Sequence, residues 1–221
     1  MFYIDTADKK EIEKYNKLHF LKGVTTNPTI LSKTELDHDY VTHSKSVIQE
    51  NENLTYYLQL TGESSKEMLE HYAFIKDNLA EEIKNVGIKV PMTLAGFETV
   101  RYIKKDNPDQ KIMGTSMYSI DQGILSAVAG CDAIVLYINR MEMNNIDSLF
   151  VVKSIRKYVD DHNLDMEIVG ASYKNTGQVV NSLVAGAHSA TIAPDIFEKM
   201  IQKDLSVKAL KDFNEDAKKY K

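Results

Sequence analysis

The chain has 221 residues, of which 43% are hydrophobic and 27% charged, and it carries a net charge of −5. These values are typical of a globular protein that buries a full hydrophobic core. An acidic protein lacks the basic surface that nucleic acids and anionic membranes bind, so we expect neither as a partner.

The first residues and the cysteine content indicate the compartment. The chain reaches the charged Asp5 after a few apolar residues, which is too early for the apolar segment of a signal peptide. No apolar run approaches the roughly 18 residues that span a bilayer. The single cysteine, Cys131, excludes a disulfide framework within the chain. We therefore expect a cytoplasmic protein without a membrane segment.

Short strand-like runs alternate with helical stretches along the whole chain. In the first half, the pattern predicts a helix that Asp5 or Asp8 caps and that ends at Lys17. The dipeptide Asn27-Pro28 is a loop signal. The other predicted elements of this half are strands at 2–4, 23–26 and 55–60 and a helix at 65–83.

The second half continues this alternation. Strands are predicted at 86–90, 111–115, 133–137, 167–171 and 189–192. Helices are predicted at 95–105, 119–128, 148–161 and 176–185, followed by a helix whose first turn contains Pro194 and by a polar helical tail.

The order of the elements predicts the fold. Strict alternation of strands and helices indicates a parallel sheet. About eight such units in about 200 residues favour a closed (β/α)8 TIM barrel over an open sheet, and the glycine-rich nucleotide motif of the open fold is missing. No linker-like segment interrupts the chain. We therefore predict a single barrel domain over residues 1–221, with 206–221 as a C-terminal helical extension.

A barrel of this type places its active site at the carboxyl ends of the strands. Nine polar residues lie at or just past predicted strand ends: Asp5, Thr25, Asn27, Gln59, Lys89, Thr115, Tyr137, Arg140 and Ser172.

Lys89 carries the most information among these residues. It lies between Ile88 and Val90 in a strand, so if these two neighbours face the helices, Lys89 faces the barrel interior. Burial disfavours an ammonium ion and lowers its pKa, and a neutral amine attacks carbonyl groups to form a Schiff base. The alternative is an exposed strand-end lysine that extends into water.

Metal chemistry has no support in the sequence. The six histidines are scattered, and none has the spacing of a zinc site. There is no P-loop and no GxSxG motif. We expect no metal and no cofactor.

Four segments resemble the family of small transaldolases and fructose-6-phosphate aldolases. They are FYIDTA at 2–7, VTTNPT at 24–29, IKVPMT at 88–93 and ASYK at 171–174. The resemblance runs from residue 2 to about residue 213, and it implies a (β/α)8 barrel that uses no cofactor.

The resemblance implies a role for each matching position. Lys89 matches the Schiff-base lysine, and Asp5 matches an acid that assists proton transfer. Thr25 and Asn27 match residues that hold the dihydroxyacetone moiety, and Ser172 matches a residue that lines the same pocket.

Two positions distinguish the branches of this family. Transaldolases carry glutamate on the third strand and phenylalanine at the end of the sixth strand, whereas the aldolases carry glutamine and tyrosine. This chain has Gln59 and Tyr137, so it resembles the aldolases. Gln59 can orient a water molecule, Tyr137 can act as an acid or base, and Thr115 matches a threonine that supports that water.

Two basic residues near the predicted strand ends, Arg140 and Lys174, indicate an anionic substrate. Arg140 offers a planar fork of donors for phosphate. Ser172 and Lys174 precede a predicted helix whose N-terminus favours anions. Pairing of Arg140 with Glu142 on the surface is the alternative. The loop 141–145 departs from the family pattern, so a sulfonate or an unphosphorylated substrate stays open.

We expect a class I aldolase that cleaves or forms a ketose phosphate. The alternatives are a transaldolase, acting on sugar phosphates or a sulfosugar analogue, and a non-catalytic barrel that binds a sugar phosphate. The resemblance also implies a homo-oligomer, with a decamer as one possibility, in which the C-terminal helix packs on a neighbouring subunit.

Overall fold

The computed structural model describes residues 1–36 and 39–220. Eight parallel strands form a closed barrel in which each strand pairs with the next and the eighth pairs with the first. The predicted (β/α)8 barrel is therefore confirmed. The strands are β1 (Phe2–Asp5), β2 (Leu21–Thr25), β3 (Thr55–Gln59), β4 (Val86–Pro91), β5 (Ile112–Met117), β6 (Ala133–Tyr137), β7 (Glu167–Ala171) and β8 (Ser189–Ile192).

Helices surround the barrel and connect its strands. Within the described residues they are α1 (Lys9–Asn16), α2 (Pro28–Leu31), α3 (Tyr40–Glu50), α4 (Ser65–Asn78), α5 (Leu94–Asp106), α6 (Ile120–Ala129), α7 (Ile138–Met143), α8 (Ser148–Asp161), α9 (Thr176–Val184), α10 (Pro194–Ile201) and α11 (Asp204–Ala217). A single turn of 3-10 helix, Ile83–Asn85, precedes β4. None of these helices is both long and apolar enough to cross a membrane.

Side-chain alternation along the strands separates two layers of core. Ile88 and Val90 point outward into the large cluster between strands and helices. A second cluster fills the barrel itself and includes Tyr3, Tyr57 and Met113. Apolar side chains therefore fill the barrel interior, and the predicted polar site residues lie above them, at the carboxyl ends of the strands.

Polar contacts close the amino-terminal end of the barrel. The hydroxyl of Tyr3 donates a hydrogen bond of 2.7 Å to Glu167, which also forms an ion pair with Lys22. The rings of Tyr3 and Tyr57 pack edge to face with centroids 5.7 Å apart. These contacts occupy the end of the barrel opposite the predicted site.

Several element boundaries differ from the predictions by a few residues, for example at α1, α4 and β5. Asp8, not Asp5, caps α1, because Asp5 is still paired with Thr25 in the barrel. The helix predicted over 65–83 ends at Asn78, where the next residue, Leu79, leaves helical geometry and is fully buried. Strand β5 extends to Met117, which still pairs with Leu136 of β6 after a register shift that follows Gly114.

The C-terminal helix has a different environment from the other long helices. Helix α11 begins at Asp204 and contains no buried residue. The large apolar residues on it are exposed, among them Leu205, Leu210 and Phe213. The extension predicted from residue 206 thus starts two residues earlier, and its last residue, Lys221, lies outside the described residues.

Candidate active site

A cavity of about 400 Å³ opens at the carboxyl ends of the strands. Eight of the ten predicted site residues line it: Asp5, Asn27, Gln59, Lys89, Tyr137, Arg140, Ser172 and Lys174. The other two, Thr25 and Thr115, are fully buried behind this lining. A wider opening of about 850 Å³ lies on the outer face of α5 and contains none of the predicted residues.

Lys89 lies inside the barrel, so the alternative of an exposed strand-end lysine is wrong. Its side chain is 2% exposed, and in the sheet it is paired with Gln59 on one side and Met113 on the other. The amine donates a hydrogen bond of 3.0 Å to the carbonyl oxygen of Thr26. Burial lowers the pKa of Lys89, although the negative charge of Asp5 acts in the opposite direction. The site therefore favours a neutral, nucleophilic amine.

Asp5 supplies a carboxylate at the end of β1. The buried hydroxyl of Thr25 donates a hydrogen bond of 2.7 Å to it. Burial raises the pKa of Asp5, whereas the charge of Lys89 and the hydrogen bond from Thr25 lower it. A carboxyl group balanced in this way can exchange protons with a bound substrate.

A second polar group lies across the cavity. The hydroxyls of Thr115 and Tyr137 are 3.2 Å apart. The side-chain oxygen of Gln59 is buried and has no hydrogen-bond partner among the described residues. A buried acceptor at a cavity wall needs a donor from a substrate or a water molecule.

Asn27 connects the cavity to α2. Its side-chain oxygen accepts a hydrogen bond of 3.0 Å from the backbone N–H of Ile30 and thereby caps this helix, with Pro28 in the first turn. Its amide nitrogen makes no hydrogen bond within the described residues, so both N–H groups remain available to a ligand.

Three residues give the outer part of the cavity a positive charge or exposed donors. The guanidinium carbon of Arg140 lies 4.8 Å above the ring of Tyr137. Lys174 directly precedes Asn175, which caps α9, and Ser172 has a positive φ of 60°. Neither Arg140 nor Lys174 forms an ion pair within residues 1–36 and 39–220. Both charges are therefore available to an anion.

The alternative pairing of Arg140 with Glu142 is wrong. The carboxylate of Glu142 instead accepts hydrogen bonds of 2.6 Å from Gln178 and 3.1 Å from Ser148. These contacts connect α7 to α8 and α9. The guanidinium of Arg140 instead contacts Tyr137 and Tyr118.

Thr191 and Ser116 are two of the cavity-lining residues that were not predicted from the sequence. Thr191, on β8, is within hydrogen-bond distance of Thr25. A hydroxyl residue next to the last position of the last strand, SATI, was the signal for it. Ser116 has a positive φ of 59° at the irregular end of β5, and the residue type alone carries no signal of that conformation.

Among the described residues, no group of three or more histidine, cysteine, aspartate or glutamate side chains could hold a metal ion. One of the six histidines, His38, lies outside these residues.

Known proteins resemble this chain over nearly its whole length. Residues 2–221 match the family described as transaldolase/fructose-6-phosphate aldolase. A probable fructose-6-phosphate aldolase of Streptococcus pneumoniae is 34% identical over 97% of this chain and 95% of its own length. A probable transaldolase of a Sulfurihydrogenibium species is 33% identical, with the same two coverages. Probable transaldolase 2 of Bacillus cereus is 31% identical over 97% of this chain and 96% of its own length.

The match covers nearly the whole chain, and it includes the strands that carry Lys89, Asp5 and Gln59. The protein therefore belongs to the transaldolase/fructose-6-phosphate aldolase family.

Proposed function

We propose that the protein is a class I aldolase that cleaves or forms a ketose phosphate of the fructose 6-phosphate type. The observation that carries this proposal is the buried amine of Lys89 in a cavity that Asp5 and Gln59 also line. The relative from S. pneumoniae is named a probable fructose-6-phosphate aldolase, which supports the same substrate class.

In the cleavage direction, Lys89 forms and later releases the Schiff base. Its neutral amine adds to the C2 carbonyl, and uptake of a proton with loss of water gives an iminium ion. Removal of the proton from the C4 hydroxyl then allows the C3–C4 bond to break. The bonding electrons move toward the iminium nitrogen and form a neutral enamine, while C4 becomes the carbonyl of the leaving aldehyde. Protonation of C3 and addition of water release dihydroxyacetone and the free amine.

The residues across the cavity would handle the proton of the C4 hydroxyl. A water molecule between Gln59, Tyr137 and Thr115 could accept it, since Gln59 offers an unpaired oxygen and the other two offer hydroxyls. Asp5 is then available for proton transfers at the iminium, because it faces the same cavity as Lys89. Asn27 would hold the dihydroxyacetone half, whereas Thr25, which is buried behind the cavity lining, acts through its hydrogen bond to Asp5.

The phosphate would lie at the outer part of the cavity. Arg140 provides several N–H donors in one plane, Lys174 provides a second charge, and Ser172 provides a hydroxyl. These groups suit a phosphate better than a neutral end group.

Transfer of the same three-carbon unit to an acceptor aldehyde is the second candidate. Two of the three relatives described above are named probable transaldolases. Gln59 cannot shuttle a proton as a glutamate could, and Tyr137 adds a hydroxyl that a phenylalanine lacks. These two residues favour release of free dihydroxyacetone over its transfer.

One assay separates the candidates. The protein is incubated with fructose 6-phosphate alone, and free dihydroxyacetone is measured with a coupled reductase. An aldolase releases dihydroxyacetone without an acceptor, whereas a transaldolase requires added erythrose 4-phosphate. Lys89→Met must abolish both reactions, and Lys76→Met, at an exposed lysine of α4, serves as the matched control. Sugar-phosphate binding without either reaction would instead support the non-catalytic barrel.

We also propose that the chain is one domain and forms a homo-oligomer through α11. The apolar side chains of this helix are exposed on an isolated chain: Leu205 is 82%, Leu210 60% and Phe213 69% exposed. A helix with such a face is stabilised when a second subunit covers it. A cytoplasmic role in carbohydrate metabolism fits this proposal, with Cys131 free and buried.

A further inference from the structure

Arg140 is exposed, yet two aromatic residues constrain its guanidinium. The ring of Tyr137 lies 4.8 Å from the guanidinium carbon, and Nη1 donates a hydrogen bond of 3.4 Å to the hydroxyl of Tyr118. An exposed arginine without such contacts samples many rotamers, and it loses that freedom when it binds a ligand. Contacts that restrict it beforehand reduce this loss.

Tyr118 is itself held in place by its surroundings. Its ring packs edge to face on Tyr137, with centroids 5.7 Å apart. Its backbone N–H donates a hydrogen bond of 2.9 Å to the side-chain oxygen of Gln122, and the amide nitrogen of Gln122 donates one of 3.3 Å to the carbonyl of Met92. Because Met92 follows Lys89 by three residues, these contacts connect the position of Tyr118 to the strand of the reactive amine.

We propose that Tyr118 is a positioning residue that orients Arg140 toward the phosphate of the substrate. Tyr118 does not line the cavity, so it acts through Arg140 and does not touch the substrate. The hydroxyl occupies a donor on Nη1, and the ring of Tyr137 sets the plane of the guanidinium. The remaining N–H groups are left for two oxygens of one phosphate. This inference rests on the proposed function, because it specifies how the same site recognises a phosphorylated aldehyde.

The variant Tyr118→Phe tests the inference because it removes the hydroxyl and keeps the ring against Tyr137. Condensation of dihydroxyacetone is measured with two acceptors that differ only in the phosphate, D-glyceraldehyde 3-phosphate and D-glyceraldehyde. We expect the KM for the phosphorylated acceptor to rise about three- to tenfold, with kcat within about twofold. The KM for D-glyceraldehyde should not change. Tyr102→Phe, at a 60% exposed tyrosine on α5, is the matched control.

A double-mutant cycle tests whether the effect passes through Arg140. In an Arg140→Ala background, Tyr118→Phe should change no kinetic constant, because the group that it positions is gone. The inference is overturned if Tyr118→Phe leaves the KM for the phosphorylated acceptor unchanged, weakens both acceptors equally, or keeps its effect without Arg140.

A binding measurement keeps the inference separate from the proposed function. Calorimetry gives the Kd of fructose 6-phosphate for Lys89→Met protein with and without Tyr118→Phe. A wild-type protein that cleaves nothing would contradict the proposed function, while a Kd raised by about the same three- to tenfold factor would still support the role of Tyr118. An unchanged Kd would overturn that role even if the enzyme is active.

Discussion

The hydroxyl of Thr25 donates a hydrogen bond to Asp5 and lies within hydrogen-bond distance of Thr191. A threonine hydroxyl has one proton, and an ionised carboxylate can only accept, so the proton of Thr25 points to Asp5 when Asp5 is charged. Thr191 must then donate to Thr25. Three neighbouring strands of the closed barrel, β8, β1 and β2, thus contribute to one directed chain of hydrogen bonds that ends at the carboxylate.

This chain predicts the effect of Thr25→Val on stability. The variant keeps the shape of the side chain but leaves Asp5 without its donor in a buried setting. We expect the free energy of unfolding to fall by about 1–3 kcal/mol, measured by urea denaturation. Thr25→Ser retains the hydroxyl, so its free energy of unfolding should fall clearly less than that of Thr25→Val. Equal losses in the two variants would contradict the importance of the hydrogen bond.

The hydroxyls of Thr115 and Tyr137 predict that a variant of Tyr137 slows C3–C4 cleavage without preventing Schiff-base formation. Tyr137→Phe removes the hydroxyl that lies 3.2 Å from that of Thr115, in the cavity that Gln59 also lines, and leaves Lys89 untouched. We expect the release of dihydroxyacetone from fructose 6-phosphate to slow by about 100-fold or more. Trapping of the Schiff base with borohydride should continue. Loss of trapping together with cleavage would instead place Tyr137 in Schiff-base formation.

The environment of Lys89 predicts a pH dependence. Burial lowers its pKa below the ordinary value of 10.5, so the rate of Schiff-base trapping should rise with pH and reach half its maximum below pH 10.5. Asp5 raises the pKa of the amine through its negative charge. Asp5→Asn removes that charge, and the midpoint should therefore move to lower pH. An upward shift of the midpoint in stopped-flow trapping would contradict this electrostatic account.

The exposed face of α11 predicts an effect on assembly. Leu210→Lys and Phe213→Lys place charges on the apolar face that we propose to be covered by a second subunit. Sedimentation velocity should show a wild-type oligomer and a variant with the 25.1 kDa mass of one chain. Lys211→Gln, on the same helix, is the control. A monomeric wild-type protein would contradict the proposed assembly.

The strands of the second half of the chain could be predicted closely from the sequence. The bounds of β6, β7 and β8 agree with the prediction to the residue, because short runs that are buried almost throughout are typical of strands in a closed parallel barrel. The polar residues at the ends of β6 and β7 were found because the active site of such a barrel lies at the carboxyl ends of its strands, whereas Thr191 of β8 was missed.

Short elements near the site were not predicted. Helix α2 has four residues and α7 six, too few to show a full apolar period. Asn27-Pro28 was interpreted as a loop signal, although it caps and begins α2. Helix α7 begins directly after Tyr137, and its first turn returns Arg140 to the ring of that residue. This contact depends on the fold, so the sequence identified Arg140 but not its partners.

The central claim is that Lys89 is the Schiff-base residue. It is tested most directly by incubating the protein with dihydroxyacetone, reducing the mixture with borohydride and mapping the modified peptide by mass spectrometry. We predict one adduct per chain, on Lys89, and none in Lys89→Met protein. An adduct on another lysine, or no adduct on the wild-type protein, would contradict the account.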